Sequence, residues 1–437
     1  MPSIAKLLGD GVSIAGELSL KRILIHDAKR LKKYNIYAAF LEMDIYEDIF
    51  SSCLSGTVTI VESNNLIFEI PLLGDELLEI EYSTPSLEST DTIKKTFSIT
   101  KVDQREHGGD KKNVYVIHFI SNEGLIDLNS ALSRSYEGNP HDIVKRIFNA
   151  ELKINDPIEV DDSDGKIKFV SPYWSPFECI NYATSRCLAP NTKTITPNFL
   201  FYQTTKKFKL KSLSTLFAQE PYMNYFFDKN PARSHGVNNT SVPDIDREYS
   251  SIKELYFINS QDYIDNISNG SLSHRVYGVD LLRKNFSTKT YKIDTDFRKT
   301  PHIEKYPIIS PDAIISDYGL FQRRTTSPQL FDGVNDNADD LLVKRVSLLG
   351  QLDLFKLDII VPGRTDIEVG MIVNFELNQF RETDSEEKLD KKIDPYYSGR
   401  YLITAIQHRL TQTRHLMTMQ IIKESTPNEF KIGIDLK

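Results

Sequence analysis

Four carboxylates, Glu42, Asp44, Glu47 and Asp48, lie in and beside the stretch "DIYEDIFSSCLSGTVTIVESNNL", where a Gly, two Thr and an Asn pair follow them. Carboxylate pairs run acid/base chemistry when burial or a neighbouring charge pushes their pKa values apart. A strand puts Glu42 and Asp44 on the same side, but neither has a His or an apolar pocket beside it in sequence. They read as solvated or helix-capping carboxylates. One short helical candidate runs through the same stretch, since "IYEDIFSSCL" sets Ile45, Ile49 and Cys53 at spacing four.

Other candidate chemistry is thinner. "NDNADD" offers Asn335, Asn337 and Asp339 at calcium-loop spacing, but Asp340 stands where the loop needs Gly and Val346 where it needs a bidentate Glu, so a surface turn is expected. "GDGVSIAG" has Gly9, Gly11 and Gly16, but Ile14 occupies the third required glycine position and no strand precedes it. No nucleophile-elbow, zinc-protease, phosphate-loop or C-x-x-C pattern is present, and the nine histidines are scattered, so neither a catalytic residue, a metal site nor a cofactor is expected. His408 reads as a packed or hydrogen-bonded strand residue. The one tryptophan, Trp174, reads as the anchor that docks a helix on a sheet.

The elements that must position these residues are mostly strands. "YNIYAAFLEMDIY", "GTVTIVES", "KTFSITKVDQ" and "NVYVIHFIS" alternate apolar and polar positions, and a Gly turn precedes the alternating run in "PLLGDELLEIEY". Residues 1–125 therefore read as an antiparallel β-domain. In "GNPHDIVKRIFNAEL" Asn139 is placed to cap a helix opened by Pro140. In "SPYWSPFECINYATSRCL" Ser175, Pro176 and Glu178 form a capping box, with Phe177, Ile180, Thr184 and Cys187 on one face. Residues 126–212 read as a small α/β unit that ends on a hairpin, "FLFYQTTKKFKLKSL". Strand, Pro-Gly turn and strand follow in "QLDLFKLDIIVPGRTDIEVGMIVNFEL", and a last hairpin joins "YLITAIQHRL" to "HLMTMQIIKE".

One internal echo stands out. "PLLGDELLEIEY" and "VPGRTDIEVGMIVNFEL" each set a Gly turn before an alternating strand, and each precedes a further strand ("VYVIHF", "YLITAI") by roughly 40 residues, the mark of two similar β-domains.

The chain has 437 residues, 40% of them hydrophobic and 26% charged, enough for several cores. Its net charge of −8 argues against a protein that holds nucleic acid on a basic face. Three cysteines, Cys53, Cys179 and Cys187, give no disulfide frame. The opening segment is a poor signal peptide, and no run approaches the roughly 18 apolar residues of a membrane span.

Several stretches together resemble the baseplate hub of contractile-tailed bacteriophages, which carries the cell-puncturing spike. The acidic stretch and "IFEIPLLGDELLEIEY" resemble the family's first tube domain, at Glu47, Gly56, Gly74 and Glu76, with an acidic turn of helix leading to a Gly-led strand. "SPYWSPFECINYATSRC", with Trp174 and Ser175, resembles its middle domain. "VPGRTDIEVGMIV" and "DPYYSGRYLITAIQHRL" resemble its second tube domain, at Pro362, Gly363, Gly370, Gly399, Tyr401 and His408.

The resemblance implies a mainly β fold with α+β parts: a tube-like β-barrel over 1–125, the α/β unit over 126–212, a second barrel from 213–255 and 341–425, an inserted peripheral domain over 256–340 and a tail over 426–437. It also implies a homotrimer whose six similar barrels form a pseudo-sixfold ring in the virion's baseplate, assembled in the host cytoplasm. The ring joins the spike to tail tube or tube-initiator proteins, contacts baseplate wedge proteins, and lines a channel that the tape-measure protein and DNA traverse at ejection. A mildly acidic lumen keeps phosphates from sticking. Rival readings are a spike-type hub of a bacterial contractile secretion system, which usually continues into a β-helical needle, and a tail-associated cell-wall hydrolase. The chain ends soon after "MTMQIIKES", which leaves no stretch here for a hydrolase domain.

Overall fold

The computed structural model describes residues 14–62, 72–85, 92–107, 113–152, 154, 158–190, 197–227, 245–260, 263–280, 284–309, 321–326, 338–352, 354–378 and 393–429. Where alternation of apolar and polar side chains is strongest, strands form. The first are β1 (Ser19–His26), β2 (Lys33–Asn35), β3 (Phe40–Asp48), β4 (Ser55–Glu62), β5 (Leu77–Ser83), β6 (Ile93–His107) and β7 (Asn113–Ser121). They lie in the order β2-β1-β5-β6-β7-β4-β3. Leu78, Ile80, Phe97, Ile99, Ile117 and Phe119 turn to one side of this array and are buried in one cluster.

The helix expected around Ile45 to Cys53 is absent, and the reason is packing. β3 runs to Asp48, and a turn follows in which the Asp48 carboxylate accepts the Phe50 amide at 2.7 Å. Ile45, Ile49 and Cys53 then enter three different hydrophobic clusters. Residues that share no core have no use for a common helical face.

The middle of the chain holds β8 (Ser135–Gly138), β9 (Ile158–Val160), β10 (Ile167–Val170), and the hairpin β11 (Phe199–Gln203) and β12 (Phe208–Ser212). Helix Pro140–Ile147 begins where expected, although the Asn139 side chain makes no cap bond. Helix Pro176–Thr184 carries the full capping box, with Ser175 Oγ accepting the Glu178 amide and the Glu178 carboxylate accepting the Ser175 amide.

The remainder comprises β13 (Asn224–Phe227), β14 (Glu254–Ser260), β15 (Ser273–Asp280), β16 (Asn285–Lys292), β17 (Tyr306–Pro307), β18 (Phe321–Thr326), β19 (Phe355–Pro362), β20 (Ile372–Leu377), β21 (Gly399–Thr411), β22 (His415–Lys423) and β23 (Ser425–Thr426). β16, β15 and β18 form a separate small sheet. In place of the surface turn expected at "NDNADD", Asp339 and Asp340 begin the second and third positions of helix Ala338–Gln351, whose Leu341, Val343 and Leu348 are buried; Asn335 and Asn337 lie outside the described residues.

β14, β19, β22, β21, β20 and β13 pair in that order. With the short β2 set aside, the first group pairs as β3-β4-β7-β6-β5-β1. Each group thus uses its strands in the same succession: second, third, sixth, fifth, fourth, first. The likeness extends to single residues. β6 is bulged between Ile99 and Lys101 and β21 between Ile403 and Ala405. Each extra residue is a threonine, Thr100 or Thr404, and each hydroxyl donates to a carbonyl on the neighbouring strand, His118 or Gln420, at 3.2 Å. One polarity differs, since β1 meets β5 antiparallel whereas β13 meets β20 parallel.

The two groups share a 13-stranded sheet. β3 gives its outer edge to β21, from Asp48 opposite Ala405 to Glu42 opposite Thr411. The mainly β expectation holds, but among the described residues no ladder closes either group into a barrel. The second group comes nearest, where the Ile252 amide donates to the Phe226 carbonyl at 3.1 Å.

Candidate functional site

The seam between β3 and β21 gathers the polar groups that matter most. Strand alternation sends Glu47 inward beside Met43 and Ile45, and it is 1% exposed. Its carboxylate accepts the backbone amides of Thr205 at 2.7 Å and Val369 at 3.2 Å, and lies 3.6 Å from His408 Nε2. Thr205 belongs to the β11–β12 turn and Val369 to the loop before β20, so one buried charge ties three parts of the chain together. Burial alone would raise this carboxyl; the His408 ring beside it, with the Thr205 amide, outweighs burial and holds the group below its usual range.

His408 passes the contact on through Nδ1, 3.1 Å from His415 Nε2. His415 is fully buried, and burial, with the neighbouring His408, holds it well below the ordinary histidine range. Gly363 makes room for that ring, since a Cβ there would stand 2.1 Å from His415 Cγ. Its φ is not positive, so close approach and not left-handed backbone is what requires glycine. Pro362 closes the β19–β22 ladder opposite Leu416 beside it.

The other predicted positions lie elsewhere. Gly370 has φ +85 and faces the Tyr202 hydroxyl, 2.4 Å from where a Cβ would sit. Gly74 has φ +102 in a loop whose Leu73, Gly74 and Asp75 amides all donate to the buried Glu76 carboxylate. Gly56 lies under the Phe119 ring, in register with Ile45. Gly399, with φ +129, opens β21, and buried Tyr401 donates its hydroxyl to the Tyr397 carbonyl at 2.6 Å. Trp174 packs on Phe169 and Tyr182 at the start of the capped helix, as an anchor should. The structure therefore brings together Glu47, His408, Pro362 and Gly363, and leaves the remaining eight positions dispersed.

Sequence reasoning missed the Glu47–His408 contact because the partners are far apart in the chain. It also missed Arg409 and Gln407, which donate to Asp44 at 3.0 and 2.9 Å on the other side of the sheet. The alternation of β21 signals that these two share a side; nothing local says that β3 lies next to it.

That other side is a continuous solvated face. Eight strands, β6-β7-β4-β3-β21-β22-β19-β14, run unbroken across the seam. Paired positions carry it as rows: Lys101, His118, Thr57, Asp44 and Arg409 form one, and Asp48, Ala405, Gln420, Asp358 and Tyr256 another. The side chains are chiefly hydroxyls, amides and carboxylates. No group of three or more His, Cys, Asp or Glu among the described residues could hold a metal ion, and no described helix is long and apolar enough to cross a membrane.

Comparison with solved structures bears on this arrangement. A tail protein from Neisseria meningitidis MC58 superposes with a TM-score of 0.54 at 11% identity, over 93% of this chain and 98% of that one. The 43 kDa tail protein of prophage MuSo2 from Shewanella oneidensis gives 0.54 at 7% identity, over 92% and 98%. The fold is that of phage tail proteins. No family model matches the sequence and no curated protein does so, which leaves the resemblance at the level of fold. For a tail-protein fold, the shared sheet and its solvated face are the features to explain.

Proposed function

We propose that the chain is a structural baseplate hub of a contractile phage tail. Three copies close into a pseudo-sixfold ring that joins the threefold spike to the sixfold tail tube. The observation that carries this reading is the repeated strand order on one shared sheet. A chain built of two alike units is what converts threefold into sixfold symmetry, and a head-to-tail contact repeated by a threefold rotation closes without leftover edges.

On this reading the tube-like units span 1–125 and 213–255 with 341–425. The α/β unit 126–212 braces them, and 256–340 faces outward toward wedge proteins. The solvated face lines the channel. It carries Glu42, Asp44, Asp48, Asp358 and Glu254 against Lys101, Lys356 and Arg409, a mildly acidic balance that repels phosphate and lets the tape-measure protein and DNA pass. The role is structural and needs no cofactor. The test is sedimentation of the purified chain with and without a spike protein from the same genome. A trimer with spike bound supports the reading; a monomer under both conditions removes it.

A further inference from the structure

Beyond the eight-strand run, β5, β1 and β2 continue the sheet, and they carry a concentration of cations. Arg22, His26, Lys33 and Lys94 converge on the Glu79 carboxylate at 3.1, 2.9, 3.9 and 3.9 Å. The β1–β2 turn, residues 27–32, then sets Leu31 among Lys29, Arg30, Lys32 and Lys33, all of them exposed. Lys29, Arg30 and Lys32 make no ion pair with a described residue, in a chain whose net charge is −8.

Leu31 is 80% exposed. The loop before β5 brings Leu73, 85% exposed, to the same end of the sheet, since His26 pairs with Leu77. Single exposed leucines are ordinary; two on adjacent loops beside unpaired cations are a pattern. Both loops also satisfy their own backbone. In the first, the Arg30 amide donates to the Asp27 carbonyl at 2.8 Å, the Lys32 amide to Asp27 Oδ1 at 2.8 Å and the Asp27 amide to the Lys32 carbonyl at 3.1 Å. In the second, the Leu73, Gly74 and Asp75 amides donate to the Glu76 carboxylate. Both leucines can therefore leave water without stranding the amides around them, which an apolar medium penalises. Arg30 has φ +55, a conformation that glycine adopts at no steric cost, so the turn holds a cation there against backbone strain.

We propose that the 27–32 turn and the Leu73 loop form a contact site for an anionic lipid surface. Leu31 and Leu73 enter the interfacial layer, and Lys29, Arg30, Lys32 and Lys33 meet the headgroup phosphates. The inference concerns a single copy and stands apart from the ring reading. A bilayer is the occupant that fits, because unpaired cations around two loop leucines need mobile anions and a soft apolar layer, which lipid supplies in any arrangement. A folded protein partner would need a matched hollow for each leucine. Asp27 and Glu79 are engaged within the chain, which leaves Asp75, beside Leu73, as the exposed carboxylate that opposes the attraction.

The test is co-sedimentation of the full chain with phosphatidylcholine vesicles, with and without phosphatidylglycerol. Binding should occur on the anionic vesicles alone and weaken as salt is raised. Leu31→Ser should reduce it roughly tenfold, the low end for burying a leucine side chain, and Lys29→Ala or Lys32→Ala about fivefold, the scale of one cation at an anionic surface. Arg30→Gly separates binding from a merely structural role: the melting temperature should hold or rise as the turn relaxes, while vesicle binding falls about fivefold. No binding to anionic vesicles overturns the proposal. Equal binding to double-stranded DNA that Leu31→Ser leaves unchanged, the mark of a general polyanion site, also overturns it. Retention of a co-expressed spike protein that Leu31→Ser abolishes, without vesicle binding, would assign the surface to a protein partner instead.

Discussion

β3 and β14 occupy the same place in two alike groups of strands, yet their surroundings differ sharply. β3 is paired on both edges, and its polar residues are used: Glu47 inward to His408, Asp44 outward to Arg409. β14 is paired on one edge and presents Tyr256, Phe257 and Ile258 to solvent. The sheet order has been kept while the chemistry at the edge has diverged. Strand order depends on backbone pairing and apolar alternation, which many sequences satisfy. A buried polar contact needs particular partners at particular positions, which fewer sequences satisfy.

The largest effect should come from breaking the polar seam. Glu47→Ala leaves two buried backbone amides without their acceptor and takes the carboxylate from beside His408, and the cost of removing one partner of a buried pair is about 3–5 kcal/mol. Chemical denaturation measures it, and a change below about 1 kcal/mol would class Glu47 with ordinary surface ion pairs.

Gly363→Val should follow. Its first side-chain atom meets the His415 ring in a close-packed site, where overpacking costs roughly 1–3 kcal/mol or more. An unchanged melting temperature would show that His415 moves aside freely.

Acid should weaken the same seam in two stages. The unfolded chain takes up the His415 proton below about pH 6.5 while the folded chain resists it, so this stability is present above that pH and is lost as pH falls through it. Glu47 is held below its ordinary carboxyl range, so its contribution is lost at lower pH, as the folded group finally protonates. Stability followed against pH should fall by at most about 1.4 kcal/mol per pH unit from His415, and His415→Gln should flatten the upper stage. A wild-type profile flat through the upper stage would contradict neutral burial of His415.

The smallest expected difference compares the two glycine turns. Gly74→Ala should cost about 1 kcal/mol for left-handed backbone alone. Gly370→Ala should cost more, because its Cβ also meets the Tyr202 hydroxyl. Equal penalties would mean that Tyr202 yields without cost.

Much of the strand content was legible because it is written locally. Alternation in "YLITAIQHRL" and "HLMTMQIIKE" marks a hairpin wherever it falls, and the Ser175–Glu178 capping box fixes a helix start from side chains three apart. The echo between the halves was visible but misaligned. "YLITAI" of β21 corresponds to "FSITKV" of β6, around the two bulged threonines, and not to "VYVIHF" of β7. Spacing four misled at Ile45, Ile49 and Cys53 because a strand and a turn also return apolar residues at that interval, each to a different core. The Pro-Gly pair at Gly363 is visible in sequence, but the His415 ring that needs its space is not. The Glu47–His408 contact had no local signature at all. It exists only because β3 and β21 adjoin, which is a property of the whole sheet.

The central claim is that three copies of a chain with two alike halves close a ring around an open channel. Electron microscopy of the purified chain, with and without its co-expressed spike, tests it most directly. The account predicts class averages with a threefold outline, six similar lobes and an open centre. Compact particles that never form rings, even in the presence of the spike, would contradict it.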